Sequence, residues 1–258
     1  MEWRENGSGE AVLLVHGFPF SAELWDDQLR DVPGGWRFIA PDLPGFGASR
    51  LDVAGPLTMD LLAQRLVMLI EELGLRRAVV CGLSMGGYVA LAMWRRHPAR
   101  VRALVLANTR ATADTPAARA GRLEDADRVR REGTGALVEA MIPRLLSEAA
   151  RRQKPELVER LRAIMRTASP EGVAAALEGM AQRPDSTPLL HTIEVPALVV
   201  AGSEDGIVPF ADAQRLADGM PSASLCVIPG VGHVSNVEAP EEFNRELHAF
   251  LRGLSPRG

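Results

Sequence analysis

Six short apolar runs constrain this 258-residue chain more than any other feature. They span residues 11–15, 36–40, 78–82, 101–107, 197–201 and 225–228. Each is nearly continuous in hydrophobicity, whereas a strand with one wet face alternates apolar with polar residues. Such runs predict strands buried on both faces, which requires a parallel sheet with helices packed above and below it. Helical patterns lie between the runs, as the crossovers of a parallel sheet demand. Residues 57–73 are amphipathic, with Thr58 placed to cap the helix and Gly74 to stop it. Residues 85–97 follow the third run and end at Pro98, and residues 210–219 and 240–251 form two shorter helices near the end. Ten residues precede Ala11, so any strand around residues 2–5 is a short edge strand.

The stretch 110–187 breaks this alternation. It shows no buried-strand pattern, and it is rich in Ala, Arg, Glu, Leu and Met at helical spacing. Breaks at Gly133, Pro143, Pro155, Pro170 and Pro184 divide it into three or four expected helices. It holds fourteen basic and twelve acidic residues, so it is about +2 while the rest of the chain is about −6. A helical insertion between two strands of a parallel sheet sits above the strand ends, where α/β proteins bind ligands. The expected division is a core of residues 1–109 and 188–258, with 110–187 as an inserted cap.

Composition removes several function classes. A net charge of −4 leaves no basic field to hold a nucleic acid. Cys81 and Cys226, the two cysteines, exclude a disulfide scaffold and a Cys-rich zinc site. Both lie in apolar runs and are expected to be buried free thiols. Residues 1–5 show no apolar signal-peptide core, so a cytoplasmic protein is expected. Residues 78–94 are seventeen uncharged residues, but three glycines and a serine interrupt them. A strand turning tightly into a helix fits that segment better than a membrane span.

That turn is Gly82-Leu83-Ser84-Met85-Gly86-Gly87, a G-x-S-x-G pattern between an apolar run and a helix. Small residues flank the serine because a side chain would clash in so tight a turn. The turn lifts Ser84 out at the carboxyl edge of the sheet. A serine hydroxyl needs a base to take its proton. Of five histidines, His233 in Gly230-Val231-Gly232-His233-Val234 sits on a loop after the last apolar run. His97, His191 and His248 lie at a helix end, a junction and inside a helix, and His16 is expected to brace its own loop. The imidazole needs a carboxylate to fix its tautomer. Asp205, following the run 197–201, is the candidate, with its neighbour Glu204 as rival. An oxyanion hole would draw on the Met85 N–H and on the loop His16-Gly17-Phe18-Pro19, where Phe18 is the donor because Pro19 has no N–H.

Together these segments resemble the α/β-hydrolase superfamily, and the likeness covers nearly the whole chain outside 110–187. His16-Gly17-Phe18-Pro19, Asp42-Leu43-Pro44-Gly45-Phe46-Gly47-Ala48-Ser49, Gly82 to Gly87, Gly202 to Pro209 and Gly232-His233 carry it. The resemblance implies an α/β-hydrolase fold, with a mostly parallel central sheet flanked by helices and a helical cap inserted between strands. It implies Ser84 as nucleophile, His233 as base, Asp205 as acid, and Phe18 and Met85 as oxyanion donors. The elbow and Leu106-Ala107-Asn108-Thr109 look most like the small carboxylesterases and 3-oxoadipate enol-lactonases.

The expected activity is serine hydrolysis of small carboxylic esters or lactones, with no metal or organic cofactor. Two alternatives stand beside it: hydrolysis of C–C bonds in ring-cleavage products, and a slow-turnover ligand sensor of the same fold. Leu137, Met141, Ile142, Leu145, Met165 and Met180 are the candidates for the substrate pocket, against a packing role in the cap. The cap arginines either hold a substrate carboxylate or form a solvated face.

Overall fold

The computed structural model describes residues 1–254. Its strands are β1 (Trp3–Gly7), β2 (Glu10–Val15), β3 (Trp36–Pro41), β4 (Ala78–Leu83), β5 (Val101–Ala107), β6 (Ala197–Gly202) and β7 (Ala223–Ile228). They form one sheet in the order β1-β3-β2-β4-β5-β6-β7. Every neighbouring pair is parallel except β1 with β3. All six apolar runs are strands, and the short leading segment is an antiparallel edge.

The helices that precede the insertion are α1 (Asp26–Leu29), α2 (Met59–Glu72) and α3 (Met85–Arg96). Within it lie α4 (Pro116–Glu132), α5 (Gly135–Leu145), α6 (Glu148–Gln153), α7 (Pro155–Met165) and α8 (Pro170–Ala181). After it come α9 (Phe210–Gly219), α10 (Ser235–Glu238) and α11 (Pro240–Gly253). The strand period of two divides the core. On β2, Leu13 and Val15 point into a cluster with α2, α3 and α9, whereas Val12 and Leu14 point into a cluster with α1 and α11. Both faces of the inner strands are therefore dry, which is why their runs are continuous in hydrophobicity; β7 departs from the expectation, because as an edge strand it leaves Leu225 and Cys226 partly buried and Val227 exposed. Thr58 caps α2 by accepting the Leu61 N–H at 3.2 Å, and Gly74 takes up the left-handed turn (φ 66°) just beyond its end.

The insertion contains five helices, not three or four. Pro143 does not break α5 but lies in its last turn, where its missing N–H costs one intrahelical hydrogen bond. The additional helix is α6, a short one nucleated by Ser147, whose hydroxyl accepts the Ala150 N–H at 3.2 Å. Gly133, Pro155 and Pro170 do mark helix boundaries. Cys81 is buried, and burial pushes its thiol pKa up, but Cys226 is only half-buried because β7 is an edge strand. Among the described residues, no helix is long and apolar enough to cross a membrane.

The strand order reverses direction between β2 and β4. The chain runs outward from β2 to β3, returns through α2 to β4, and then steps the other way through β5, β6 and β7. The crevice beyond the carboxyl ends of β2 and β4 is thus the topological switch point, where open α/β sheets bind ligands. The His16–Phe18 loop and the Ser84 turn both leave the sheet there.

Candidate active site

Ser84 joins β4 to α3 with φ 53° and ψ −112°, a region that non-glycine residues rarely enter. The strain persists because the surroundings leave no alternative. A Cβ on Gly82 would lie 2.2 Å from the Gly86 carbonyl oxygen, and one on Gly86 would lie 2.1 Å from that of Val15. Backbone therefore presses on backbone on both sides of the serine. The Ser84 N–H donates to the Ala107 carbonyl at 2.9 Å, and its own carbonyl accepts the Thr109 hydroxyl at 2.8 Å.

The loop after β2 lies against this turn. A Cβ on Gly17 would stand 3.3 Å from the Ser84 Cβ, so Phe18 follows within one residue of the serine's flank. Among the described residues, neither the Phe18 nor the Met85 N–H meets a protein acceptor. His16 braces the loop from behind. Its Nδ1–H donates to the Gly17 carbonyl at 2.9 Å and its Nε2 accepts the Leu43 N–H at 3.0 Å. Burial holds the ring's pKa below its usual value, against the opposing pull of the Gly17 carbonyl and Asp42, so His16 stays neutral. Asp42 shapes the next loop by accepting the N–H groups of Ala22 at 2.7 Å and Ala48 at 2.8 Å.

Asp205 and His233 meet. The His233 Nδ1 lies 2.8 Å from Asp205 Oδ2 and 3.0 Å from Oδ1, with both side chains almost fully enclosed. Glu204, the rival acid, is exposed and touches neither ring nitrogen. Asp205 Oδ1 also accepts the N–H groups of Ile207 and Val208 at 2.8 and 2.9 Å. Burial pushes its pKa up, but the charge and hydrogen bond of His233, the Val208 N–H and the Asn108 amide outweigh it. Asp205 is held below the ordinary carboxylate range. Among the described residues no hydrogen bond reaches the Ser84 hydroxyl, so the carboxylate–imidazole half of the arrangement is the assembled half. The other histidines stand elsewhere: His97 ends α3, His191 lies in a 3₁₀ turn, and His248 on α11 donates to the Asp31 carbonyl at 2.8 Å.

In sequence, Asn108 stands out only as part of the likeness at residues 106–109, with no site role. It ends β5 with φ 47°, donates to Asp205 Oδ2 at 3.0 Å and to the Gly232 carbonyl at 3.3 Å, and accepts the Ser235 hydroxyl at 2.6 Å. The signal was a polar residue at the end of a fully buried strand, the same topological place as Ser84 and Asp205.

A cavity of about 630 Å³ lies between the insertion and the core, with Phe18, Arg110, Arg144 and Ile207 in its wall. Of the six pocket candidates, Leu137 and Met141 line it. Ile142, Leu145 and Met165 do not: they are buried in the cluster shared with the sheet, at the helical spacing that packs a core. Met180 is also packed, and its sulfur accepts from Arg122 at 3.5 Å. Two acids in the wall are already neutralised. Asp114 pairs with Arg122 at 2.6 Å and Arg183 at 2.7 Å, and Asp125 pairs with Arg128. Arg144 reaches only the Gly206 carbonyl at 3.4 Å. Arg110 reaches the Ile207 carbonyl at 3.3 Å and Asp212 at 4.0 Å, with its Nε unpartnered.

Residues 10–240 match the alpha/beta hydrolase fold family. The chain belongs to that family. As an α/β hydrolase it is similar to a thermophilic esterase from Thermogutta terrifontis, solved with malate bound, at 42% identity and a TM-score of 0.95. That likeness covers 98% of this chain and 93% of the other. It is 30% identical to 3-oxoadipate enol-lactonase 2 of Acinetobacter baylyi, over 94% of this chain and 88% of that protein. It is also 31% identical to a 2-hydroxy-6-oxononadienedioate/2-hydroxy-6-oxononatrienedioate hydrolase of Burkholderia vietnamiensis, over 98% of this chain and 91% of that protein.

Proposed function

We propose that this α/β hydrolase is a serine hydrolase of small carboxylic esters or lactones that works through an acyl-enzyme. Two observations carry the proposal: the enclosed Asp205–His233 pair, and a strained, glycine-flanked Ser84 at the switch point, each on a loop that follows the carboxyl end of a strand of one sheet. In this reading Asp205 keeps the proton of His233 on Nδ1, and Nε2 accepts the proton of the Ser84 hydroxyl. Ser84 Oγ attacks the substrate carbonyl carbon. The N–H groups of Phe18 and Met85 hold the resulting oxyanion. Collapse of the intermediate breaks the bond to the leaving oxygen, which takes the proton from His233. A water molecule, deprotonated by His233, then attacks the acyl carbon and releases the acid, and Ser84 recovers its proton. Residues 110–187 act as the cap, and Leu137 and Met141 shape the acyl pocket. The esterase and enol-lactonase relatives support this substrate class.

A second reading, hydrolysis of a C–C bond in a ring-cleavage product, is favoured by the similarity to the 2-hydroxy-6-oxononadienedioate/2-hydroxy-6-oxononatrienedioate hydrolase. The same groups would then attack a vinylogous ketone and release a carbon leaving group.

Initial rates on p-nitrophenyl esters from acetate to decanoate, with Ser84→Ala beside the wild type, test the proposal. The expected result is turnover by the wild type and loss of about a thousandfold or more in the variant. Undiminished turnover by a pure Ser84→Ala preparation contradicts it. Turnover of a vinylogous diketone but of no ester selects the second reading.

A further inference from the structure

The imidazole of His233 is held by Asp205, but its backbone is held by something else. The His233 N–H donates to the Leu145 carbonyl at 2.8 Å, and the Val234 N–H to the same oxygen at 3.3 Å. Leu145 ends α5, so the loop is tied to the insertion as well as to the core, where the Val231 carbonyl accepts the Glu204 N–H at 2.9 Å and the Gly232 carbonyl accepts the Asn108 amide at 3.3 Å. The approach is backbone against backbone: a Cβ on Gly232 would lie 2.7 Å from both the Leu146 carbonyl carbon and the Ser147 nitrogen.

Glu238 closes this junction. Its side chain lies five residues after His233 and is buried, with 4% of the residue exposed. Oε2 accepts the Gly232 N–H at 3.0 Å and the Ser147 N–H at 3.2 Å, and Oε1 accepts the Ser147 hydroxyl. Among the described residues no cationic side chain pairs with the carboxylate; the Lys154 ammonium bonds the Glu238 backbone carbonyl instead, at 3.1 Å. A carboxylate taken out of water is costly, and an apolar side chain of similar size would stabilise such a site as well. What the carboxylate does that an apolar group does not is fix three donors in space. One belongs to the peptide just before the base, and two belong to the cap of α6.

We propose that Glu238 is a positioning residue for His233: it holds the Gly232 peptide and fastens the base loop to the α5–α6 junction. The proposal rests on the serine-hydrolase reading above. In it, Asp205 sets the ring and Glu238 sets the main chain from which the ring hangs.

Glu238→Gln tests it, because the amide keeps the shape but turns an NH₂ toward a donor. At 25 °C in the folded protein, kcat for p-nitrophenyl acetate is expected to fall between about tenfold and about a hundredfold. KM stays within about twofold, as for an interaction that acts in the transition state. The downfield Nδ1 proton resonance of His233 shifts or broadens. Ser147→Ala, which removes one donor, acts in the same direction but less. The double variant falls short of the product of the two, because both changes break one contact. A folded Glu238→Gln with wild-type kcat and an unmoved resonance overturns the proposal, whatever its melting temperature. Should Glu238→Gln not fold, Ser147→Ala decides: reduced kcat supports the proposal and wild-type kcat overturns it. Ser84→Ala assayed alongside separates the two levels. Full activity there removes the serine-hydrolase reading itself, whereas loss there with wild-type kcat in Glu238→Gln removes only this inference.

Discussion

Four donors converge on Asp205, from Ile207, Val208, Asn108 and His233, and they leave its carboxylate no freedom to turn. Asp205→Asn keeps the shape but offers an amide where His233 needs an acceptor that fixes its tautomer. Turnover should fall about 10⁴-fold with little change in fold. Glu204→Gln, one residue away and exposed, should stay within about twofold of wild type, as most surface changes do. Comparing the two kcat values checks the choice of acid, and a larger loss in Glu204→Gln would reverse it. The pairing of Asp205 with His233 was legible in sequence because each follows an apolar run, and parallel strands carry such loops to one edge. Asn108 and Glu238 were not legible. Nothing marks an asparagine after a strand or a glutamate five residues past the base as part of a site until the register of β5 beside β6, and the docking of α6 on the base loop, are known.

Among the elements, the strands announced themselves and the insertion did not. A strand buried on both faces has a continuous apolar signature, and each of the six runs is a strand within two residues of its expected bounds, although β7, at the edge, buries only Ile228. The insertion's helices bury only part of their surface, and prolines both opened them and lay within one. That is why five helices read as three or four. Beside the apolar clusters it shares with the core, close backbone packing holds the insertion down. On α8, the Ala175 carbonyl accepts the Leu57 N–H at 2.9 Å, and a Cβ on Gly179 would lie 1.8 Å from the Leu57 carbonyl oxygen. Gly179→Ala should therefore force α8 away from residue 57 and cost about 1–3 kcal/mol, despite alanine's higher helix propensity. Urea denaturation measures this. An unchanged or raised midpoint would mean that the helix shifts without cost.

For the whole molecule, charge is unevenly divided. The chain is −4 in sum, yet the insertion is about +2, and its cavity wall holds Arg144, which reaches the Gly206 carbonyl at 3.4 Å, and Arg110, which pairs with Asp212 at 4.0 Å. Under the proposed function, an ester that carries a second carboxylate would test whether these arginines meet the substrate. Replacing both arginines with glutamine should raise KM for a mono-p-nitrophenyl dicarboxylate by about tenfold, the scale of one charge-assisted hydrogen bond. KM for the neutral ester of equal length should hardly move. Equal changes for the two esters would assign the arginines to packing.

The central claim is that acyl transfer passes through Ser84. Wild-type enzyme mixed with excess p-nitrophenyl butyrate, quenched in acid within the first turnover and mapped by peptide mass spectrometry, examines that step directly. The account predicts one butyryl group on the peptide containing Ser84 and none in Ser84→Ala. Ester turnover with that peptide unmodified, or with the acyl group on another residue, would contradict it.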